Sequence, residues 1–180
     1  MMIDRDFFEQ VKEMSEFPAF KKTLSLTKNA IEKQGYLDLA VRYFVFRNVE
    51  YDQKSDVNEF LDDGIIELAE DGPLQGEEIE IFKDTFQLLA DTFEGRAFKK
   101  WQKDDYKGKF LQSHFEVIAI GVAANITQIK CLDSPQDFLK KKTRRLIDEP
   151  VFKKNSGAGV RGTTRIQKLL PFGKKFFDPQ

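Results

Sequence analysis

One cysteine, Cys131, and one histidine, His114, stand in 180 residues. A single cysteine excludes a disulfide within the chain, and together the two offer too few soft ligands for a structural zinc site. Neither a metal nor a cofactor is expected. The longest apolar run, Val117 to Ala124, falls far short of the roughly 20 residues that a membrane-spanning helix needs. The opening MMIDRDFFEQ lacks the cationic and then apolar pattern of a signal peptide, so a cytoplasmic chain with no membrane contact is expected. No phosphate-loop motif and no serine-, cysteine- or carboxylate-based catalytic motif is present. What remains is 41% hydrophobic and 33% charged residues, with 18 Phe. That balance describes a folded chain whose apolar mass sits in a few bulky side chains, read as one domain over residues 1–180.

Apolar spacing divides the chain into helices. Asp4 is a candidate N-cap for a first helix with Phe7, Phe8, Val11 and Met14 on one face, and Phe17-Pro18 ends it. Phe20, Leu24 and Ile31 suggest a broken helical connector before Gly35. Leu37, Val41, Phe44 and Val45 then recur at helical intervals. The β-branched and aromatic content of 41–46 also suits a strand, and helix is preferred because both flanks are helical. Asp56-x-x-Glu59 has the spacing of a capping box, starting a helix that turns Phe60, Leu61, Ile65 and Leu68 inward.

After the breaker Asp71-Gly72-Pro73, Ile79, Phe82, Phe86, Leu89, Ala90, Phe93, Ala97 and Trp101 predict an amphipathic helix over 77–101. A charged turn over 104–108 leads to a helix over 109–129, where Ala119, Gly121, Ala123 and Ala124 allow neighbours to approach closely. Ser134-Pro135 opens another helix with Phe138, Leu139, Leu146 and Ile147 inward, and Pro150 stops it. Thr163 or Thr164 starts the last, through Ile166, Leu169 and Leu170. The expectation is an all-α, single-domain bundle of about seven helices, cored by 36–48, 77–101 and 109–129.

Charge is unevenly spread. Residues 139–180 carry 12 Lys and Arg against 3 Asp and Glu, whereas the preceding residues carry 17 against 27. Lys140, Lys141, Lys142, Arg144 and Arg145 fall on the outer side of one helix, and Lys153, Lys154, Arg161 and Arg165 flank the glycine-rich segment KKNSGAGVRG. Such cations release counterions on meeting phosphate, and small residues expose backbone amides to anions. Lys140, Lys141, Arg144, Arg145, Lys153, Lys154, Arg161 and Arg165 are therefore the candidate contacts to DNA or to a protein partner. A solvated helix face and a flexible loop account for the same residues, and the acidic body could equally pair with this tail within the fold or across a homo-oligomer interface.

Other constellations have structural readings beside their chemical ones. His114 is a candidate general base that lacks a visible nucleophile or metal partner. Asp62-Asp63 and Glu77-Glu78 are adjacent carboxylates that diverge on a helix and suit helix-end electrostatics. Arg42 and Arg47 lie in the most apolar early helix, where a guanidinium must be paired, with acidic partners expected on an adjacent helix.

Several segments carry a family likeness. Asp38-Leu39-Ala40-Val41-Arg42-Tyr43-Phe44, Tyr51, and Val57-Asn58-Glu59-Phe60-Leu61-Asp62 are followed in order by Phe93-x-x-x-Ala97-Phe98, Phe115-Glu116, the 138–152 stretch and Thr164-Arg165-Ile166. Together they resemble the helical C-terminal part of GmrSD-type, ParB/sulfiredoxin-like proteins, family 262 of the domains of unknown function. Members include modification-dependent restriction enzymes that act in phage defence. The resemblance implies a non-catalytic recognition or regulatory module, with DNA or a ParB-like nuclease domain or subunit as partner. The family's Asp-Gly-Gln-Gln-Arg nucleotide motif is absent from this chain, so no residue inherits a catalytic role. A protein-interaction module without a nucleic-acid role is the alternative.

Overall fold

Most of the apolar periodicity in the chain is realised as helix. The computed structural model describes residues 5–180, and the Asp4 cap lies outside them. Among the described residues there are eleven α-helices and one two-stranded hairpin. The fold is all-α, with more and shorter helices than the seven expected, because polar breaks and prolines divide segments that periodicity alone runs together.

Helix α1 (Arg5–Ser15) buries Phe7, Val11 and Met14, whereas Phe8, expected beside them, is 41% exposed. The helix stops before Phe17-Pro18, as expected, and Pro18 occupies the first turn of α2 (Pro18–Leu24), where its missing N–H costs no hydrogen bond. Phe20 and Leu24 of that helix are fully buried, and Ile31, 44% exposed, lies on the short α3 (Lys28–Glu32), so the connector before Gly35 is broken helix as expected. Helix α4 (Gly35–Asn48) contains the ambiguous 41–46 stretch as helix. Asp56 caps α5 (Val57–Glu70), its carboxylate accepting from the Asn58 and Glu59 amides at 2.8 and 3.1 Å.

Helix α6 (Gly76–Phe93) stops two turns before Trp101. Glu94 lies at φ 53°, a 3₁₀ turn spans Glu94–Arg96, and the chain then forms an antiparallel hairpin of β1 (Lys100–Gln102) and β2 (Asp105–Lys107). The residues between the strands, Lys103 and Asp104, both have positive φ, 48° and 62°. Two such residues match the right-handed twist of the flanking strands. The expected six-turn helix and charged turn are thus corrected to a shorter helix and a hairpin.

Helix α7 (Gln112–Ala124) is buried on almost every side and ends at Asn125, whose side-chain amide donates to the Gly121 and Lys174 carbonyls. The short α8 (Ile126–Lys130) follows. Next come α9 (Pro135–Leu146), α10 (Pro150–Asn155) and α11 (Gly162–Phe176). Pro135 and Pro150 both open helices; Pro150 ends α9 and begins α10. Ser134 makes no capping bond.

The core joins the Phe82 and Phe86 rings of α6 to Phe20 of α2 and Tyr43 of α4, with ring centroids 4.7–5.4 Å apart. Helices α7 and α11 cross at two glycines. A Cβ on Gly121 would lie 2.5 Å from the Gly173 carbonyl oxygen, and one on Gly173 would lie 2.6 Å from that of Val117. Among the described residues no helix is long and apolar enough to cross a membrane.

Candidate nucleic-acid interface

Helix α9 anchors the basic region through Leu139, Thr143 and Leu146, which are buried. Phe138 and Ile147, expected inward, are only partly covered. Lys141, Arg144 and Arg145 are exposed and Lys140 is half-buried. Lys142 is not on the outer face. Its Nζ donates to the Phe176 carbonyl at 2.6 Å and sits 5.1–5.2 Å over the Phe138 and Phe176 rings. Burial there pulls its pKa down from the ordinary lysine value. This lysine fastens the end of the chain to α9.

The hairpin docks on the same helix. The Arg144 guanidinium lies 4.6 Å over the Trp101 ring, a cation–π contact. The Tyr106 and Thr143 hydroxyls share a hydrogen bond of 2.7 Å. Trp101 and Tyr106 are cross-strand partners with centroids 4.8 Å apart. Because strand side chains alternate, the two aromatics face α9 while Lys100, Gln102, Asp105 and Lys107 point the other way. Lys100, Lys103, Lys107 and Lys109 are all exposed. Lys100 and Lys107 are Cα partners across the ladder, a like-charge juxtaposition that weakens a hairpin. Among the described residues neither enters an ion pair, although Arg96 and Asp105 pair at 3.2 Å nearby. These lysines form the outer face of the hairpin whose inner face rests on α9.

The eight candidate cations separate accordingly. Lys140, Lys141, Arg144 and Arg145 stand on α9, on which the hairpin rests. Arg145 approaches Glu149 at 3.7 Å and Lys153 approaches Asp148 at 3.7 Å, exposed pairs that tie up little charge. Lys153 and Lys100 line one pocket, so α10 borders the hairpin. Lys154 is exposed at the end of α10. Arg161 lies apart, since the adjacent Gly162 packs on Val57 at the start of α5.

Arg165 is largely committed to an ion pair within the fold. It donates from Nε and Nη2 to the two oxygens of Glu116, at 2.7 and 3.1 Å, and Glu116 is wholly buried in α7. Gln112 donates a further bond of 3.0 Å to the same carboxylate. The glycine-rich segment thus does not gather Arg161 and Arg165 into a phosphate cradle.

Arg47 meets the expectation of a partner on another helix, donating to both Glu78 oxygens at 2.7 and 3.0 Å. Arg42 departs from it. Its partner is Asp38, one turn earlier on α4, at 3.2 Å, and its Nη1 is buried without a hydrogen bond. His114 is 6% exposed, its ring edge-on to Phe152 at 5.1 Å. Burial, with Lys100 nearby, lowers its pKa to about 4, and neither ring nitrogen has a hydrogen-bond partner. A base so weak, with no nucleophile bonded to it, is poorly suited to proton abstraction. No group of three or more His, Cys, Asp or Glu is placed to hold a metal among the described residues.

The hairpin lysines are the cations that helical periodicity conceals. Their signal is the polar-aromatic-polar alternation of Lys100-Trp101-Gln102 and Asp105-Tyr106-Lys107. No family model, curated protein or solved structure matches the chain.

Proposed function

We propose that this chain is a non-catalytic helical recognition or regulatory module that contacts DNA phosphates through the surface formed by α9 and the hairpin. The observation that carries the reading is the docking of Trp101 under Arg144, which fixes a hairpin bearing the Lys100 and Lys107 pair on its outer face against the helix that carries the exposed Lys141, Arg144 and Arg145. Unpaired like charges held side by side cost folding energy and acquire a use when a polyanion covers them. The likeness to the helical part of modification-dependent restriction proteins supports the same reading, with a ParB-like nuclease domain or subunit as the catalytic companion. Titration of the whole chain with duplex DNA at several salt concentrations tests it. Binding that weakens linearly in log salt is expected, and no binding even at low salt would sink the proposal.

A protein-interaction module is the second reading, favoured by a specific feature on the acidic side. Phe8 on α1 and Ile66 on α5 are 41% and 38% exposed, and the two helices touch and also carry Glu9, Glu13, Asp62, Asp63 and Glu67. Pull-down of a companion subunit, abolished by Phe8→Glu and Ile66→Glu but not by hairpin substitutions, would favour it over DNA contact.

A further inference from the structure

Helix α5 carries five carboxylates and no cation: Glu59, Asp62, Asp63, Glu67 and Glu70. All five are exposed, and intervals of three and four residues gather them on one face with Ile66, itself 38% exposed, at its centre. Among the described residues none of these carboxylates meets a cation or a hydrogen-bond donor. The arrangement works against the helix. Glu59 with Asp63 and Asp63 with Glu67 are like charges one turn apart, and Glu67 and Glu70 stand in the last turn, where the helix dipole favours cations. A uniformly negative face is thus kept against the helix's own stability, and no described residue neutralises it.

The complement stands on α9. Lys141, Arg144 and Arg145 are exposed at the same three- and four-residue intervals. Arg144 is held outward over Trp101, and Arg145 meets Glu149 only loosely, at 3.7 Å. Long basic side chains lay their methylene stems on apolar surface while their heads reach charge, so this face suits an isoleucine ringed by carboxylates. Within one molecule the two faces are not joined. Helix α5 packs on α1 and α4, α9 packs on α6 and α8, and no ion pair links α5 to α9 among the described residues. The net charge of −1 leaves no overall repulsion to keep copies apart, a condition that favours association between opposite patches.

We infer that the outer face of α5 docks on α9 of a second copy of this chain, with Ile66 against the stems of the α9 cations and the carboxylates meeting Lys141, Arg144 and Arg145. The inference names the partner for the protein-interaction reading and rests on the acidic side that reading uses. Each copy offers both faces, so the contact is head-to-tail and extends into open chains unless its rotation closes a ring. It covers cations of α9, and duplex DNA competes for them.

Sedimentation equilibrium of the whole chain, without DNA, tests this. Weight-average mass should rise with protein concentration at about 0.1 M salt and return to the monomer value at about 1 M, where charges are screened within a few ångströms. Two sets of exposed, charge-neutralising substitutions remove one face each. One is Asp62→Asn with Asp63→Asn and Glu67→Gln on α5, and the other is Lys141→Gln with Arg145→Gln on α9. Either variant alone should self-associate about tenfold more weakly than the wild type. Mixed in equal amounts, the two restore one intact contact, α5 of the α9 variant on α9 of the α5 variant, and should form a heterodimer that grows no further. Helix content should be unchanged in both, and the α5 variant should be at least as stable as the wild type because like charges are gone. A wild type that stays monomeric at low salt, association that survives neutralisation of α5, or a mixture no more associated than its parts overturns the inference. A companion subunit held through Phe8 and Ile66 by a wild type that stays monomeric would overturn the second copy as partner while upholding the broader protein-interaction reading.

Discussion

Arg165 and Arg144 belong to the same basic tail and have opposite fates. Arg165 spends its guanidinium on Glu116, a carboxylate with no exposure at all, and so clamps α11 to α7. Arg144 is exposed and rests on an aromatic ring, keeping its charge outward. The buried pair is held by geometry and by a third donor, Gln112, while the surface cation is held by dispersion and ring electrostatics. Charge counted along a sequence therefore overstates what is free to bind, and the correction depends on which cations find a buried acid.

The largest expected effect breaks the buried half of the comparison. Arg165→Ala leaves Glu116 charged and unpaired in the core, and should cost about 3–5 kcal/mol of stability in urea unfolding. Replacing both residues by leucine should recover most of that loss, because an apolar pair needs no desolvation of charge. An Arg165→Ala protein of wild-type stability would show that the clamp is not structural.

Acid should act next. The folded pKa of His114, about 4, lies below its ordinary 6.5, so the unfolded chain binds more protons between those values. Stability is full above pH 6.5 and is lost as pH falls toward 4, by about 3 kcal/mol from this residue. Urea midpoints at pH 7 and pH 4.5 should differ more in the wild type than in His114→Leu, which removes the titrating group while carboxylates continue to contribute.

A smaller loss is expected from Gly121→Ala, which drives a methyl into the Gly173 carbonyl at the α7–α11 crossing. Overpacking of this kind should cost about 1–3 kcal/mol in the same assay. The smallest effect sharpens the surface half. Lys107→Glu turns the like-charge pair with Lys100 into an attractive one and should stabilise the hairpin by a few tenths of a kcal/mol, while weakening DNA binding. A thermal melt and a binding titration on the same sample measure the two opposite signs.

The helices of the core were legible because Phe, Leu and Ile recur at three and four residues over many turns; α4 and α5 lie where that spacing puts them, and α6 and α7 start there but end short of 101 and 129. The 94–107 stretch was not. Phe93, Ala97 and Trp101 keep a helical interval while the backbone leaves the helix at Glu94, and the hairpin turn uses Lys103-Asp104 with no Asn or Gly to announce its positive φ values. The basic face of α9 was readable from its Lys and Arg positions, apart from Lys142, whose carbonyl partners lie at the far end of the chain. Arg165 was misread for the same reason. Its partner Glu116 is 49 residues away in sequence, and charge counting has no access to a contact of that range.

Salt dependence of duplex DNA binding compares the exposed cations of α9 and the hairpin with the exposed cations beyond them most directly. Slopes are measured for the wild type, for Lys100→Ala with Lys107→Ala and Lys141→Ala, and for Lys154→Ala with Arg161→Ala. The triple variant on the hairpin and α9 should lose about three phosphate contacts' worth of slope, with the double variant nearer to wild type. A wild-type slope in the triple variant, or a larger loss in the double one, would contradict the placement of the binding surface on α9 and the hairpin.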